Sequence, residues 1–503
     1  MALVFSEGVQ MIARIVENRV DSSIITDSLQ PNDTKGYSLN TPISIIATND
    51  SIIPLPPPTH PINTIRVEKG VLLAKKPTSI NQNWCLHSKT GNEVLNKHVP
   101  LFKTFTGMKR HSPKKIGMLD CILANLLNAH NAGNQIIYSR RKTKSDTELI
   151  KNVTDYMASA KLIHNVIGKA NEFEGNSSWM TPTDKVIAEF DAAKVRVQLR
   201  EDAPMLEIRK SNGKPLSLNR VKSRNALDVK AIQATVQQYN ATWLRHDATF
   251  AGRYLAPYCQ RIFNLSLELG GRFYGGSHIL MTKVNRRAIL IDDESTCEPD
   301  FKAMHYCLLY ALAGHQLNPL VDDPYQIEGY DRSVIKLASL VLLNSESISS
   351  FKACITKSGN PKIKAKIQAY KQKYRLFELQ SCKGEPIKPR CSKGFISGKF
   401  IHELDRFESE IPEGTKGEDL YSAITSKHRV IIEFFGSQNI GLMLQNLDSK
   451  IMAATLSQLS ALDIPSLPVH DSLRCKVSDK STVISAMKAA YKSVTGFDGV
   501  VCD

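Results

Sequence analysis

Regular alternation of apolar and polar positions begins at Ser112. From there Ile116, Leu119, Ile122, Leu123, Leu126 and Leu127 recur at helical spacing and make one apolar stripe. Ser112 offers an N-cap with Pro113 at the first helical position, and Asn131-Ala-Gly133 supplies the stop. A second helix is predicted from Thr147, carrying Leu149, Ile150, Val153, Tyr156 and Met157. A short strand over 162–167, a polar excursion from Gly168 to Ser178 and a returning segment at Trp179-Met180 predict a two-stranded ribbon. Residues 192–268 read as mostly helical, with candidate strands at 195–199 and 206–209. Further on, Ala288-Ile-Leu-Ile291 is strand-like. A helix from Arg332 is supported by Val334, Ile335, Leu337, Ala338 and the apolar run 341–343. Another helix is expected over 442–462. After it an apolar run, 464–477, is broken only by His470-Asp471-Ser472, which predicts two short strands meeting at a turn. Residues 1–110 show the least order, and the proline run at 54–61 is extended or turn-like because each ring fixes φ and removes a donor.

A chain of 503 residues has room for about two to four domains. Its net charge of +16 favours an acidic polymer as partner, most simply nucleic acid, although a merely basic soluble protein has the same balance. The ten Cys include no Cys-x-x-Cys pair, and Cys382 with Cys391 lacks the further ligands of a zinc site. The first residues have neither the basic start nor the apolar stretch of a leader, and no apolar run is long enough for a membrane span. A soluble, cytoplasmic protein is expected. Between Lys352 and Lys399 stand thirteen Lys or Arg against Glu378 and Glu385. Such a run is often a solvated face, but Tyr370, Tyr374, Phe377 and Phe395 are interleaved with it, as in a groove that tracks a nucleic-acid backbone.

Two acids carry the candidate chemistry. Asp300 lies downstream of the strand-like Ala288–Ile291 stretch, and Asp471 sits where two strands should meet. Hard divalent cations prefer such oxygen ligands, and the cations Arg332 and Lys336 fall between the acids in sequence. Four segments occur in order: Gly271-Arg-Phe-Tyr-Gly-Gly276, Asp300-Phe-Lys-Ala-Met-His305, Arg332-x3-Lys336 and Val469-His-Asp-Ser472. This set resembles the palm and fingers shared by the bacterial DNA polymerase I family and the single-subunit phage and mitochondrial RNA polymerases, over residues 268–503. The resemblance implies that Asp300, the Phe301 carbonyl and Asp471 hold two Mg²⁺ or Mn²⁺ ions, with His470 at the primer end. It implies that Arg332 and Lys336, four apart on one helical face, grip the triphosphate. Arg272 and Tyr274 would follow the template–primer backbone, and Gln445 of Gln445-Asn-Leu-Asp448 would touch the template. A second His-Asp pair, His246-Asp247, lacks flanking strands and is set aside.

Departures from that pattern bear on the substrate. His305 stands where DNA-making members carry Glu and RNA-making members Gly, and its bulk should crowd a ribose 2′-hydroxyl. Asn344 and Ser345 stand where the family has Tyr and Gly, which removes a side chain that helps select the sugar. Upstream, helix, turn, helix and ribbon over 111–191 resemble a winged helix. Arg140, Arg141, Lys142 and Lys144 precede the second helix, where phosphate contacts would orient it on DNA, but a purely structural helical subdomain fits equally.

The expected fold is therefore α+β: an N-terminal segment to 110 of no assigned role, a winged-helix-like unit over 111–191, a mostly helical, thumb-like connector over 192–268, and an antiparallel palm with helical fingers over 269–503, with a basic insertion at 346–400. The expected activity is template-directed nucleotidyl transfer, most simply DNA synthesis from a primer–template and nucleoside triphosphates for a phage or other mobile element. RNA polymerase or primase activity, a metal-dependent nuclease, and a DNA-binding initiator with an inactive palm are the alternatives.

Overall fold

The computed structural model describes residues 65–68, 71–74, 77–110, 112–133, 135–140, 146–167, 177–365 and 411–502. The proline run, Cys382, Cys391, Arg141, Lys142, Lys144 and most of the basic stretch fall outside them. The described fold mixes helices with sheets that are mostly antiparallel.

In the N-terminal half, Pro113–Asn131 forms a helix with Ser112 in extended geometry before it, as the proline at its start predicts. Thr147–Ser159 forms the second helix, and Ile163–Val166 pairs antiparallel with Ser177–Pro182. Between the helices, however, lies a strand where a turn was expected. Gln135-Ile-Ile-Tyr-Ser139 is rich in β-formers and pairs with both Ser177–Pro182 and Pro77–Ser79, completing a four-stranded sheet. Trp84–Leu86 pairs with Val197–Leu199, so residues on both sides of 111–191 belong to this unit and a boundary at 110 cuts through it.

The stretch 192–268 is also less helical than its composition suggests. It holds one long helix, Leu218–Thr242, and the strands Val197–Leu199, Leu206–Arg209, Ala248–Phe250, Arg253–Tyr254 and Gln260–Asn264. The strands at 197–199 and 206–209 fall where the sequence placed candidates. Ala248–Phe250, Arg253–Tyr254 and Gln260–Asn264 were read as helical because runs of two to five residues leave little periodicity to read. Gln260–Asn264 lies between Leu206–Arg209 and Gly270–Tyr274 in a three-stranded sheet.

The C-terminal half is built on an eight-stranded sheet. Its path runs Arg253–Tyr254, Ala248–Phe250, Ile289–Ile291, Glu294–Cys297, Ser472–Lys476, Asp300–Phe301, Val501–Cys502, and Leu467–Val469 pairs with Ser472–Lys476. Pro468 is tolerated because its strand has a partner on one side alone. Helix Ile440–Ala461 is buried on most of its circumference, including Leu444, Asp448, Ile451 and Leu456, and it packs against strand Gly270–Tyr274 and four helices. One apolar core continues from Leu119 and Ile122 through Trp243 to Phe301 and Leu473.

Candidate active site

Asp300 opens the strand Asp300–Phe301, and Asp471 ends the two-residue turn between Leu467–Val469 and Ser472–Lys476. Asp300 is in register with Ser472, the Phe301 N–H donates to the Asp471 carbonyl at 3.3 Å, and the Leu473 N–H donates to the Pro299 carbonyl at 3.0 Å. Residues 171 positions apart (471 − 300) therefore become neighbours, Asp300 on its strand and Asp471 at the end of the turn that precedes the strand paired with it. His470 takes a left-handed φ of 59°, which lets so short a turn close.

Burial, then the negative charge of Asp471, raises the Asp300 carboxyl to about 7, while Lys283 and Lys336 act in the opposite direction. Burial pushes the Asp471 carboxyl up as well. Asp300 Oδ1 is buried and has no hydrogen-bond partner. Two carboxyls that repel each other, one with an orphaned oxygen, are of the chemistry that hard divalent cations prefer. Among the described residues no cluster of three or more His, Cys, Asp and Glu completes a metal cage, so such cations would share their shell with water or substrate. Burial lowers His470 to about 4 and keeps it neutral, and its Nδ1 is likewise without a partner.

Arg332 and Lys336 lie on helix Arg332–Asn344, whose Val334, Ile335, Leu337 and Ala338 face the core. Both cations are exposed. Lys336 is near enough to Asp300 to favour its charged form, whereas Arg332 donates to Asp323 at 2.7 Å and stands 5.2 Å over the Tyr325 ring. Asn344 closes the same helix, donating to the Leu340 carbonyl. Tyr274 and Gln445 are both half-buried. Far from this site, Arg140 is paired with Asp155 at 2.8 Å, so its charge is compensated inside the N-terminal unit. His246 and Asp247 are tied to Asp292 and Arg196 in surface ion pairs.

Arg272 is turned inward. Its side chain is mostly buried, and its Nε donates to both oxygens of Asp448, at 3.2 and 3.0 Å, rather than facing open solvent. Gly271 adopts φ 89°, where a Cβ would lie 2.5 Å from the Phe263 ring of the neighbouring strand. The Gly270 carbonyl accepts from Asn446 and Ser449 of the helix that carries Asp448, which ties the strand to that helix. Arg261 donates to the Gly271 carbonyl and to Ser449, fixing the same junction. His305, in helix Met304–Leu312, has Nε2 3.3 Å from Arg272 and 3.5 Å from Asp448.

Sequence reading missed Asp448, Lys283 and Glu298. Glu298 lies between Arg286 at 2.8 Å and Arg474 at 2.9 Å. Against the opposing effect of burial, these arginines hold its carboxyl down at about 2, fastening the strands beneath the acid pair. Its place two residues before Asp300 was the available signal.

No protein-family model matches the chain, and no curated protein matches it. Among solved structures, the chain is similar to the POL domain of Pol1 from M. smegmatis in complex with DNA primer-template and dNTP. The identity is 10%, the TM-score is 0.21, and the match covers 58% of this chain and 56% of that one. A likeness of that extent carries no argument, and the site rests on its own geometry.

Proposed function

We propose that this protein is a template-directed nucleotidyltransferase, a DNA polymerase similar to the bacterial DNA polymerase I family and serving a phage or other mobile element. The observation that carries the reading is that Asp300 pairs with Ser472, the residue after Asp471, which brings the two acids together in a setting that penalises two unneutralised carboxylates. Divalent cations held by Asp300, Asp471 and the Phe301 carbonyl would supply charge neutralisation at the reacting phosphate. Lys336, exposed and electrostatically linked to Asp300, binds the triphosphate as a point charge. Arg332 joins it once the exposed pair with Asp323 exchanges for phosphate. His305 borders the sugar, and neutral His470 lies beside the primer end. The N-terminal unit and the basic stretch bring the chain to DNA.

The test is extension of a labelled primer–template by purified protein with Mg²⁺ or Mn²⁺, using deoxynucleotides and ribonucleotides in separate reactions. Extension with deoxynucleotides, lost by more than about 100-fold in Asp471→Asn, is the expected result. Exclusive use of ribonucleotides makes the protein an RNA polymerase or primase instead. Cleavage without extension makes it a nuclease.

A further inference from the structure

Beside the acid pair, the central sheet sets two cysteines face to face. Glu294–Cys297 and Ser472–Lys476 run antiparallel, with Cys297 directly opposite Cys475 and Thr296 opposite Lys476. The two Sγ atoms are 3.7 Å apart, and the residues are 178 positions apart in the chain. Neither is in a disulfide. Cys297 lies three positions before Asp300 (300 − 297) and Cys475 four after Asp471 (475 − 471).

The backbone on either side fixes their spacing. The Val477 N–H donates to the Ser295 carbonyl and the Leu473 N–H to the Pro299 carbonyl, each at 3.0 Å. Hydrogen-bonded pairs alternate along an antiparallel ladder, so Cys297 and Cys475 fall at such a pair, where facing Cα atoms stand about 5.5 Å apart. That lies inside the range of roughly 4.4–6.8 Å over which disulfides form, so the strands need not separate for the sulfurs to bond. The surroundings of the two thiols differ. Cys475 is fully buried, and burial, then the neighbouring Cys297 sulfur, pushes its thiol well above the ordinary range. Cys297 is half-buried, so an oxidant from solvent reaches it first.

We propose that Cys297 and Cys475 are a modification site: a hydroperoxide oxidises them, through Cys297, to a reversible disulfide that locks together the strands beside the acid pair. The Cys297 thiolate attacks the outer peroxide oxygen, the O–O bond breaks, and the departing oxygen takes up the thiol proton to leave as water or an alcohol. Cys297 is then a sulfenic acid. The Cys475 sulfur attacks the Cys297 sulfur, the S–O bond breaks, and the hydroxyl leaves with the Cys475 proton as water. Two thiols have passed two electrons and two protons to the peroxide, and a dithiol reductant reverses the change. The link closes only when the two strands are paired, so it fixes the register that brings Asp300 beside Asp471. It is independent of the polymerase reading, since a chain without extension activity would still form it.

The experiment treats the full chain with hydrogen peroxide, blocks the remaining thiols with iodoacetamide and maps the digested peptides by mass spectrometry, beside urea unfolding of oxidised and reduced protein. The expected result is loss of both thiols, with the peptide holding Cys297 joined to the one holding Cys475, and their separation by dithiothreitol. Oxidised wild type should show a higher urea midpoint than reduced, because the link closes a long loop in the unfolded chain. Cys297→Ser should leave Cys475 unlinked and give equal midpoints with and without peroxide. Thiols that stay unreacted overturn the proposal, as does Cys297 recovered only as sulfinic or sulfonic acid or joined to another cysteine. Where Cys297→Ser does not fold, the wild-type peptide map decides alone.

Discussion

Asp300 is a carboxyl whose charge the fold makes costly, and that cost sets a direction for pH dependence. Its folded value is raised to about 7 from 3.8, so between about pH 4 and pH 7 the folded state binds protons that the unfolded state has released. Stability of the metal-free protein therefore falls as pH rises across that window. On the proposed reading divalent cations take the place of the proton, so Mg²⁺ should raise the melting temperature at pH 8 and leave it nearly unchanged at pH 5. Thermal melts at the two pH values with and without Mg²⁺ check this, and equal shifts at both would contradict it. Lys336 lends itself to a second measurement at this scale. As an exposed cation beside the acids it contributes little to stability, but a charge-assisted contact to phosphate is worth about 1.5–3 kcal/mol. Lys336→Ala should raise the nucleotide KM about tenfold or more, with an unchanged melt. An unaltered KM would remove Lys336 from the binding site.

Among the elements, the hairpin of Leu467–Val469 and Ser472–Lys476 and the strand Gly270–Tyr274 differ in how much sequence discloses of them. The hairpin was legible because Leu467, Val469, Leu473 and Cys475 are apolar around a polar turn, and all four are buried. Helix Ile440–Ala461 was legible for the same reason, within two residues at its start. Gly270–Tyr274 showed its glycines but not their use. Gly271 is there because the Phe263 ring occupies the space of a side chain, a fact about residues that periodicity does not connect. Gly271→Ala should cost about 1–3 kcal/mol through strained φ and a displaced ring, read as a lower urea midpoint. A midpoint equal to wild type would show that the strand shifts freely. The strand Gln135–Ser139 was overlooked because five residues between two strong helices carry a weak local signal, and their partners lie 38 to 58 positions away.

Charge is the property of the whole molecule that makes a prediction. At +16, with much of the excess between Lys352 and Lys399, binding to duplex or single-stranded DNA should weaken steeply with salt. For about six to ten phosphate contacts the loss between 50 and 200 mM salt is about 10³–10⁵-fold. Fluorescence anisotropy on a labelled oligonucleotide measures it, and an absence of binding at 50 mM would leave the basic stretch a solvated face. At this scale the N-terminal unit is continuous with the C-terminal half through one apolar core, so the two are expected to melt together.

Amino-acid order alone determined which segments are helices with a buried face, where the central turn falls, and which two acids are candidates for a shared cation. Those features depend on neighbours a few residues away, and local spacing records them. Only the tertiary structure decided that Asp300 meets Ser472 across a strand pair, that Arg272 turns inward to Asp448, and that Glu298 is clamped by two arginines. Each joins segments distant along the chain or depends on burial that closes around the charge, and burial is what changes a surface ion into a chemically perturbed one.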